Sequence, residues 1–356
     1  MSFDPAIFGR VQLTEHQWAE ASAALPGMAP VGDTSYPQKS YSRLARFRWP
    51  RFHAQYGLGQ CTGCGIAELA EQLARLTDPP GTPPNPKQNT PQFSSQWPYF
   101  LGRERARKAG RPIAGQGAVV LDVFAAVMQE GLIEDRYWPN TPETARSYRD
   151  VPPTLALTAP RWRVTGERIT SVDQLLYVIG VKQKPVCIGM GWRGGYETGT
   201  GGGHTWDGRS VGGHAFVIDW YDLTIPQPRI GTICWWDEGG FGVRAEKGSV
   251  DSFGNPLPWG YSWTFFNDWR KDVTQAAFSS GEIEAFYLDS IIPPPPDPQP
   301  KPDPTPPQPT PPPPTPPNPP PAPGPAAPGI PTSWVGKILG GDGHIYEVAQ
   351  TVKRLT

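Results

Sequence analysis

The sequence predicts an α+β protein, with its helices in the first half of the folded part and its strands in the second. Three observations carry this. Apolar residues recur at helical spacing over 66–76, 120–128 and 172–179. Short apolar or alternating runs separated by glycine-rich loops follow from Val186 onward. A proline-rich tract beginning at Ile292 then closes the pattern. Helices first and strands later imply a helical half and a sheet half, with any active site in the crevice between them.

Taken in order, residues 1–48 form an arm, with a short helix near Thr14–Ala24 and then a loop rich in proline, glycine and serine. It lacks the long charged helix with which an inhibitory propeptide blocks a cleft, so it is read as a packing arm. The stretch Gln55-Tyr-Gly-Leu-Gly-Gln-Cys61-Thr-Gly-Cys64-Gly-Ile-Ala67 runs from a glycine-rich loop straight into a helix, on which Ile66, Leu69, Ala70, Leu73 and Leu76 make one apolar stripe. His53, just upstream, reads as a loop histidine. After a proline-rich surface loop over Asp78–Pro91, Gln92–Gly110 is a helix with an exposed basic face of Arg103, Arg105, Arg107 and Lys108. Gly117–Glu130 is a second amphipathic helix, stopped by Gly131, and Ser171 caps a third that stops before Pro185. The strands expected are Val186–Met190, His214–Tyr221, Ile230–Trp236 and Ile283–Leu288.

The chain has 356 residues and a formal net charge of −1, a balance that argues against a general nucleic-acid binder. No apolar run is long enough to span a bilayer and the first residues carry no basic-then-apolar signal, so location stays open: cytoplasmic by default, or virion-associated or exported by another route. Four cysteines in so long a chain do not make a disulfide scaffold. Most of the 47 prolines fall together, and runs such as Pro311–Pro314 allow only polyproline II or coil. The expected boundaries are thus 1–48 for the arm, 49–290 for the main domain, 291–331 for a disordered linker and 332–356 for a short appendage. In the appendage Trp334–Leu339 and His344–Val348 flank Gly340-Gly-Asp-Gly343 as a hairpin would. A spacer of this kind suggests tethering to a partner.

The chemistry starts at Cys61. At the start of a helix, free backbone N–H groups and the positive end of the helix dipole favour a thiolate. Gly57, Gly59 and Gly63 let the backbone approach a substrate, and the Gln55 side-chain amide can donate to an oxygen on the group under attack. Cys61-x-x-Cys64 also fits half a zinc site, a redox pair or inert packing. Cys187 and Cys234 sit singly in strand-like runs, however, and complete no zinc ribbon. Among five histidines, His214 stands at the first apolar position of a strand behind Gly212 and Gly213, where an imidazole can be held rigidly. His204 sits in a flexible glycine loop. Trp192, Trp206, Trp259 and Trp263 are candidates for substrate walls or for packing.

Gln-x5-Cys opening a helix, with Gly-Gly-His-Ala and an apolar strand far downstream, resembles the papain-like cysteine peptidases, most closely their bacterial and viral branch. The likeness spans roughly Trp49–Asp289. It implies a two-lobed fold, with a helical lobe and an antiparallel sheet or barrel lobe, no cofactor and no metal, a polypeptide substrate, and a Cys61 thiolate–His214 imidazolium pair. Gln55 and the Cys61 backbone N–H would hold the oxyanion, and an acyl-enzyme would be released by water. Gly59, Gly63, Gly213 and Trp259 would then line the substrate cleft. The family orients its histidine with asparagine in Asn-Ser-Trp-Gly, which is missing here. Asp251 in Asp251-Ser-Phe-Gly254 is the stand-in expected, with Asp237 as its rival. The departure keeps two other functions open: a catalytically weakened binding or virion-structural protein, and a thiol amidase acting on cell-wall cross-links.

Overall fold

The computed structural model describes residues 13–23, 25–31, 39–42, 53–55, 59–76, 91–111, 113, 117–146, 151–193, 203–234, 250–257, 260–295, 333–339 and 345–351. Two compact units separate at Pro296 and Asp297.

In the first unit the arm contributes α1 (Glu15–Ala23) and β1 (Ser40–Tyr41). The helical part is α2 (Cys61–Leu76), α3 (Gln96–Lys108), α4 (Val120–Glu130), α5 (Pro142–Arg146) and α6 (Thr154–Thr158). β2 (Arg163–Ile169) and α7 (Val172–Gly180) lead into the sheet strands β3 (Val186–Arg193), β4 (Gly203–His204), β5 (Ser210–Asp222), β6 (Arg229–Ile233) and β7 (Tyr261–Phe265). Then come α8 (Phe266–Asp272), α9 (Gln275–Ser280) and β8 (Glu284–Ile292). The strand order is β2-β8-β3-β5-β6-β7-β4, antiparallel except for the short β4–β7 pair, with β1 added on β5.

The expected helices and strands are present, and their ends follow local chemistry. Ser171 accepts a hydrogen bond from the Gln174 backbone N–H at the start of α7. Gly131 stops α4 at φ 78°, a conformation costly for any residue with a side chain. β8 runs two residues past the expected end of the domain, because Ile291 and Ile292 still pair with Val164 and Arg163. The basic face of α3 is more than a solvated surface: Arg103 donates to the Gly117 carbonyl at 2.7 Å, and Arg105 lies 3.5 Å from the Asp122 carboxylate, which Arg111 grips from the other side.

The sheet has a core on each face, and the pleat decides which side chains enter which. Cys187, Ala215, Val217, Phe286 and Leu288 face α2, α3 and α4. Ile188, Met190, Trp192, Phe216, Ile218, Ala285 and Tyr287 face α7, α8 and α9. The register of β5 against β6 shifts between Ile218 and Trp220, at Asp219. That extra residue turns Trp220 toward the helical side and Tyr221 toward the other, as a bulge does. Phe124 of α4 stacks on Phe286 of β8 at 4.2 Å between centroids. Glu284 Oε2 accepts from the Leu121 N–H at 2.8 Å, so a sheet strand caps the first turn of α4.

The arm is part of this core. Leu13, Trp18, Ala21 and Leu25 are buried in it, the Met28 N–H donates to the Arg168 carbonyl, and Ser40 and Tyr41 pair with Asp222 and Tyr221.

Within the second unit, β9 (Ser333–Leu339) and β10 (Ile345–Thr351) form an antiparallel pair in the register Leu339↔Ile345 to Ser333↔Thr351. The expected linker over 296–331 lies outside the described residues.

Candidate active site

Cys61 is the first residue of α2, and its Sγ is fully buried. The backbone N–H of Ala215 points at that sulfur from β5 at 3.3 Å. Such a donor stabilises a thiolate over a thiol, in the same sense as the helix N-terminus beneath it. The residue before Ala215 is His214, so the strand whose backbone meets Cys61 also carries the base candidate, 153 residues along the chain. The pleat sets the Ala215 and His214 side chains on opposite faces of the sheet. Ala215 and Val217 face α2, whereas the imidazole packs edge-on to Trp192 at 4.9 Å and nearly parallel to Phe216 at 6.3 Å. Burial in this aromatic surround lowers the His214 pKa to about 3, so the ring is neutral at ordinary pH.

Cys64 lies one turn along α2, and its N–H donates to the Gln60 carbonyl as an ordinary helix residue. Cys187 on β3 faces Gly65 of α2, where an added Cβ would come 2.8 Å from its sulfur. Burial first, then charge at Cys61 and Glu284, pushes the Cys187 thiol well above its ordinary pKa. All four cysteines are free thiols, and among the described residues no group of three or more His, Cys, Asp or Glu is placed to hold a metal.

No family model matches the sequence, and no curated protein matches it either. Solved structures do. Xylellain, a cysteine protease from Xylella fastidiosa, superposes with a TM-score of 0.50 at 15% identity over 82% of this chain and 98% of its own. Procathepsin B S9 from Trypanosoma congolense gives 0.50 at 9% identity over 80% and 88%. The cysteine protease and lectin-like domains of Cwp84 from Clostridium difficile give 0.50 at 13% over 80% and 61%. The fold is papain-like.

Within this papain-like fold the remaining expected residues divide. Gln55 is buried beside the start of α2, with its carbonyl accepting from the Gln60 side chain at 3.5 Å. Gly59 is buried next to Gln60, and Gly213 pairs with Gly191 at the half-buried start of β5. Gly63 is a correction. A Cβ there would lie 2.2 Å from the Ser95 carbonyl oxygen, so its missing side chain admits α3 and leaves no opening for a substrate. Asp251 is another. Its Oδ1 accepts from the Phe253 and Asn255 N–H groups, and its Oδ2 from Ser42 Oγ at 2.7 Å and Asn255 Nδ2 at 2.9 Å. Those bonds fold its own turn and tie it to the arm, and none of them goes to His214. Trp192 and Trp206 are packed against each other at 5.7 Å, and Trp263 lies beneath the Arg229 guanidinium at 3.9 Å, so all three serve packing. Gly57, Asp237 and Trp259 lie outside the described residues.

Two residues near the site escaped the sequence reading. His53 is a loop histidine as expected, but a buried one: its Nε2 lies 3.2 Å from Glu71 Oε1 and 3.9 Å from Glu68 Oε2. Glu68, Glu71, Gln72 and Arg75 of α2 are buried as well. Desolvation raises the Glu68 pKa, with His53 opposing it. The other is Asn140, which binds both ends of the loop that carries Gln55. The one signal available for it was Asn140 following Pro139 at the close of an aromatic turn, which is weak.

Proposed function

We propose that the chain is a cysteine-type peptidase in which Cys61 attacks a peptide carbonyl. His214 takes the thiol proton and returns it to the leaving amine, and water releases the acyl-enzyme with His214 again as base. The Gln55 side-chain amide and the Cys61 backbone N–H hold the oxyanion, and Gly59 and Gly213 flank the substrate backbone. The observation that carries this reading is the Ala215 N–H directed at Cys61 Sγ, because it seats the sulfur against the strand that presents His214. A neutral imidazole in the resting state fits a base that accepts the proton as substrate arrives and displaces water. The residue orienting His214 is then something other than Asp251, and Asp237 remains the candidate.

The test is hydrolysis of a mixed peptide library by wild type, Cys61→Ala and Cys64→Ala. Turnover is expected from wild type and Cys64→Ala and none from Cys61→Ala, and equal losses from both cysteine variants would sink the reading. One observation favours an inert relative: burial depresses the His214 pKa to about 3, which weakens it as a base. A thiol-directed epoxide separates the two, since an inert scaffold shows no selective modification at Cys61.

A further inference from the structure

The described residues at the two ends of the loop from His53 to Gln60 are held from other elements of the fold. At one end His53 Nε2 meets Glu71 Oε1 at 3.2 Å, and Glu71 is itself fixed by the Phe93 N–H at 2.9 Å. Asn140 then grips the loop twice. Its Nδ2 donates to the Ala54 carbonyl at 2.7 Å, and its Oδ1 accepts from Gln60 Nε2 at 2.9 Å. Ala54 immediately precedes Gln55, and Gln60 immediately precedes Cys61. One amide therefore fixes the residue before the oxyanion donor and the residue before the nucleophile, and so sets the spacing between the two.

Asn140 is itself well held. It is 7% exposed, its Oδ1 accepts a second donor from Gln96 Nε2 at 2.9 Å, and its N–H donates to Asp135 Oδ1 at 3.3 Å. The turn around it is closed by Ser94 Oγ donating to the Trp138 carbonyl at 2.6 Å and Thr144 Oγ1 donating to the Pro139 carbonyl at 2.8 Å. An asparagine suits this position because it donates and accepts at once, to a carbonyl on one side and to amides on the other. Aspartate has the same shape but only accepts, and would set a carboxylate against the Ala54 carbonyl.

We propose that Asn140 is a positioning residue for the oxyanion site, acting on catalysis through the placement of Gln55 relative to Cys61. This rests on the peptidase reading above. Small displacements of an oxyanion donor reduce turnover while leaving ground-state binding largely intact, because the donor works on charge that develops only in the transition state.

The experiment compares wild type, Asn140→Asp, Gln55→Ala and the double variant. It measures kcat and KM on a peptide substrate, the rate of Cys61 alkylation by iodoacetamide across pH, and Tm. Alkylation needs the thiolate but no oxyanion hole. Asn140→Asp is expected to lose roughly 10- to 100-fold in kcat with KM within about 3-fold, and to keep the alkylation rate and its pH profile within about 2-fold. In the Gln55→Ala background the same change is expected to cost less than about 3-fold more, since the two act as a unit. An undiminished kcat in folded Asn140→Asp overturns the proposal. So does a full additional loss in the double variant, or alkylation that falls in step with kcat. Should Asn140→Asp not fold, Asn140→Ser carries the same expectations. A wild type that hydrolyses nothing removes the peptidase reading and this proposal together, whereas an active wild type with an equally active variant removes the proposal alone.

Discussion

The sharpest prediction concerns the proton on His214. In the folded chain burial lowers its pKa from 6.5 to about 3, and in the unfolded chain the ring returns to its ordinary value. Folding therefore holds the imidazole neutral, and the unfolded chain binds a proton that the folded chain refuses. This contribution to stability is fully present above 6.5 and is lost progressively as pH falls toward about 3. Each pH unit inside that window costs about 1.4 kcal/mol, so lowering the pH from about 7 to about 5 should remove about 2 kcal/mol through this residue alone. The assay is denaturant unfolding of wild type and His214→Gln at a series of pH values, reading the difference between the two slopes against pH and not the absolute stabilities. Wild type is expected to lose about 2 kcal/mol more than the variant over that interval. Parallel curves would refute the reasoning. A wild type that gains stability on acidification relative to the variant would mean that the folded chain holds an imidazolium, and that the thiolate–imidazolium pair exists before substrate arrives.

Three further outcomes follow from contacts at or near the site. Gly63→Ala drives a methyl group into the Ser95 carbonyl and should lower stability by about 1–3 kcal/mol in thermal unfolding, with α2 and α3 forced apart. Asp251→Ala removes four accepted hydrogen bonds from the buried residue of an otherwise exposed turn, and a loss of about 2–3 kcal/mol is expected. The pH profile of hydrolysis should stay where it is, and a shift in that profile would restore Asp251 as the residue orienting the imidazole. Arg111→Ala strands the buried Asp122 carboxylate and should cost about 3–5 kcal/mol, visible as a lower denaturant midpoint that acid partly recovers as Asp122 protonates. The direction follows from desolvation already raising the Asp122 pKa, with Arg111 as the main opposing influence.

The sequence carried the fold further than the site. Helical periodicity located α2, α4 and α7, and apolar runs located β3, β5, β6 and β8, because each of these elements presents one consistent face to a core. β2 and β7 escaped notice, since Arg163-Val-Thr-Gly-Glu-Arg-Ile169 and Tyr261-Ser-Trp-Thr-Phe265 alternate too weakly to separate from loop. The positions of Cys61 at a helix start and His214 on a strand were legible because both are local patterns. Asp251 misled for the same reason: its neighbours resembled a motif, but its oxygens are committed to Ser42 and to its own turn. His53 and Asn140 were hidden because their partners lie on other elements, and no spacing along the chain announces a contact between Asn140 and Ala54.

The arm has a consequence of its own. Trp18 lies over Gly281, Pro26 and Met28 are hydrogen-bonded to the open edge of β2, and Tyr41 pairs with the far end of β5. A protease nick between residues 42 and 53 would cut the covalent link while leaving the arm lodged where it is. Such a nicked protein should elute as one species and come apart only under denaturant. Shedding this segment would therefore require opening the core it is built into.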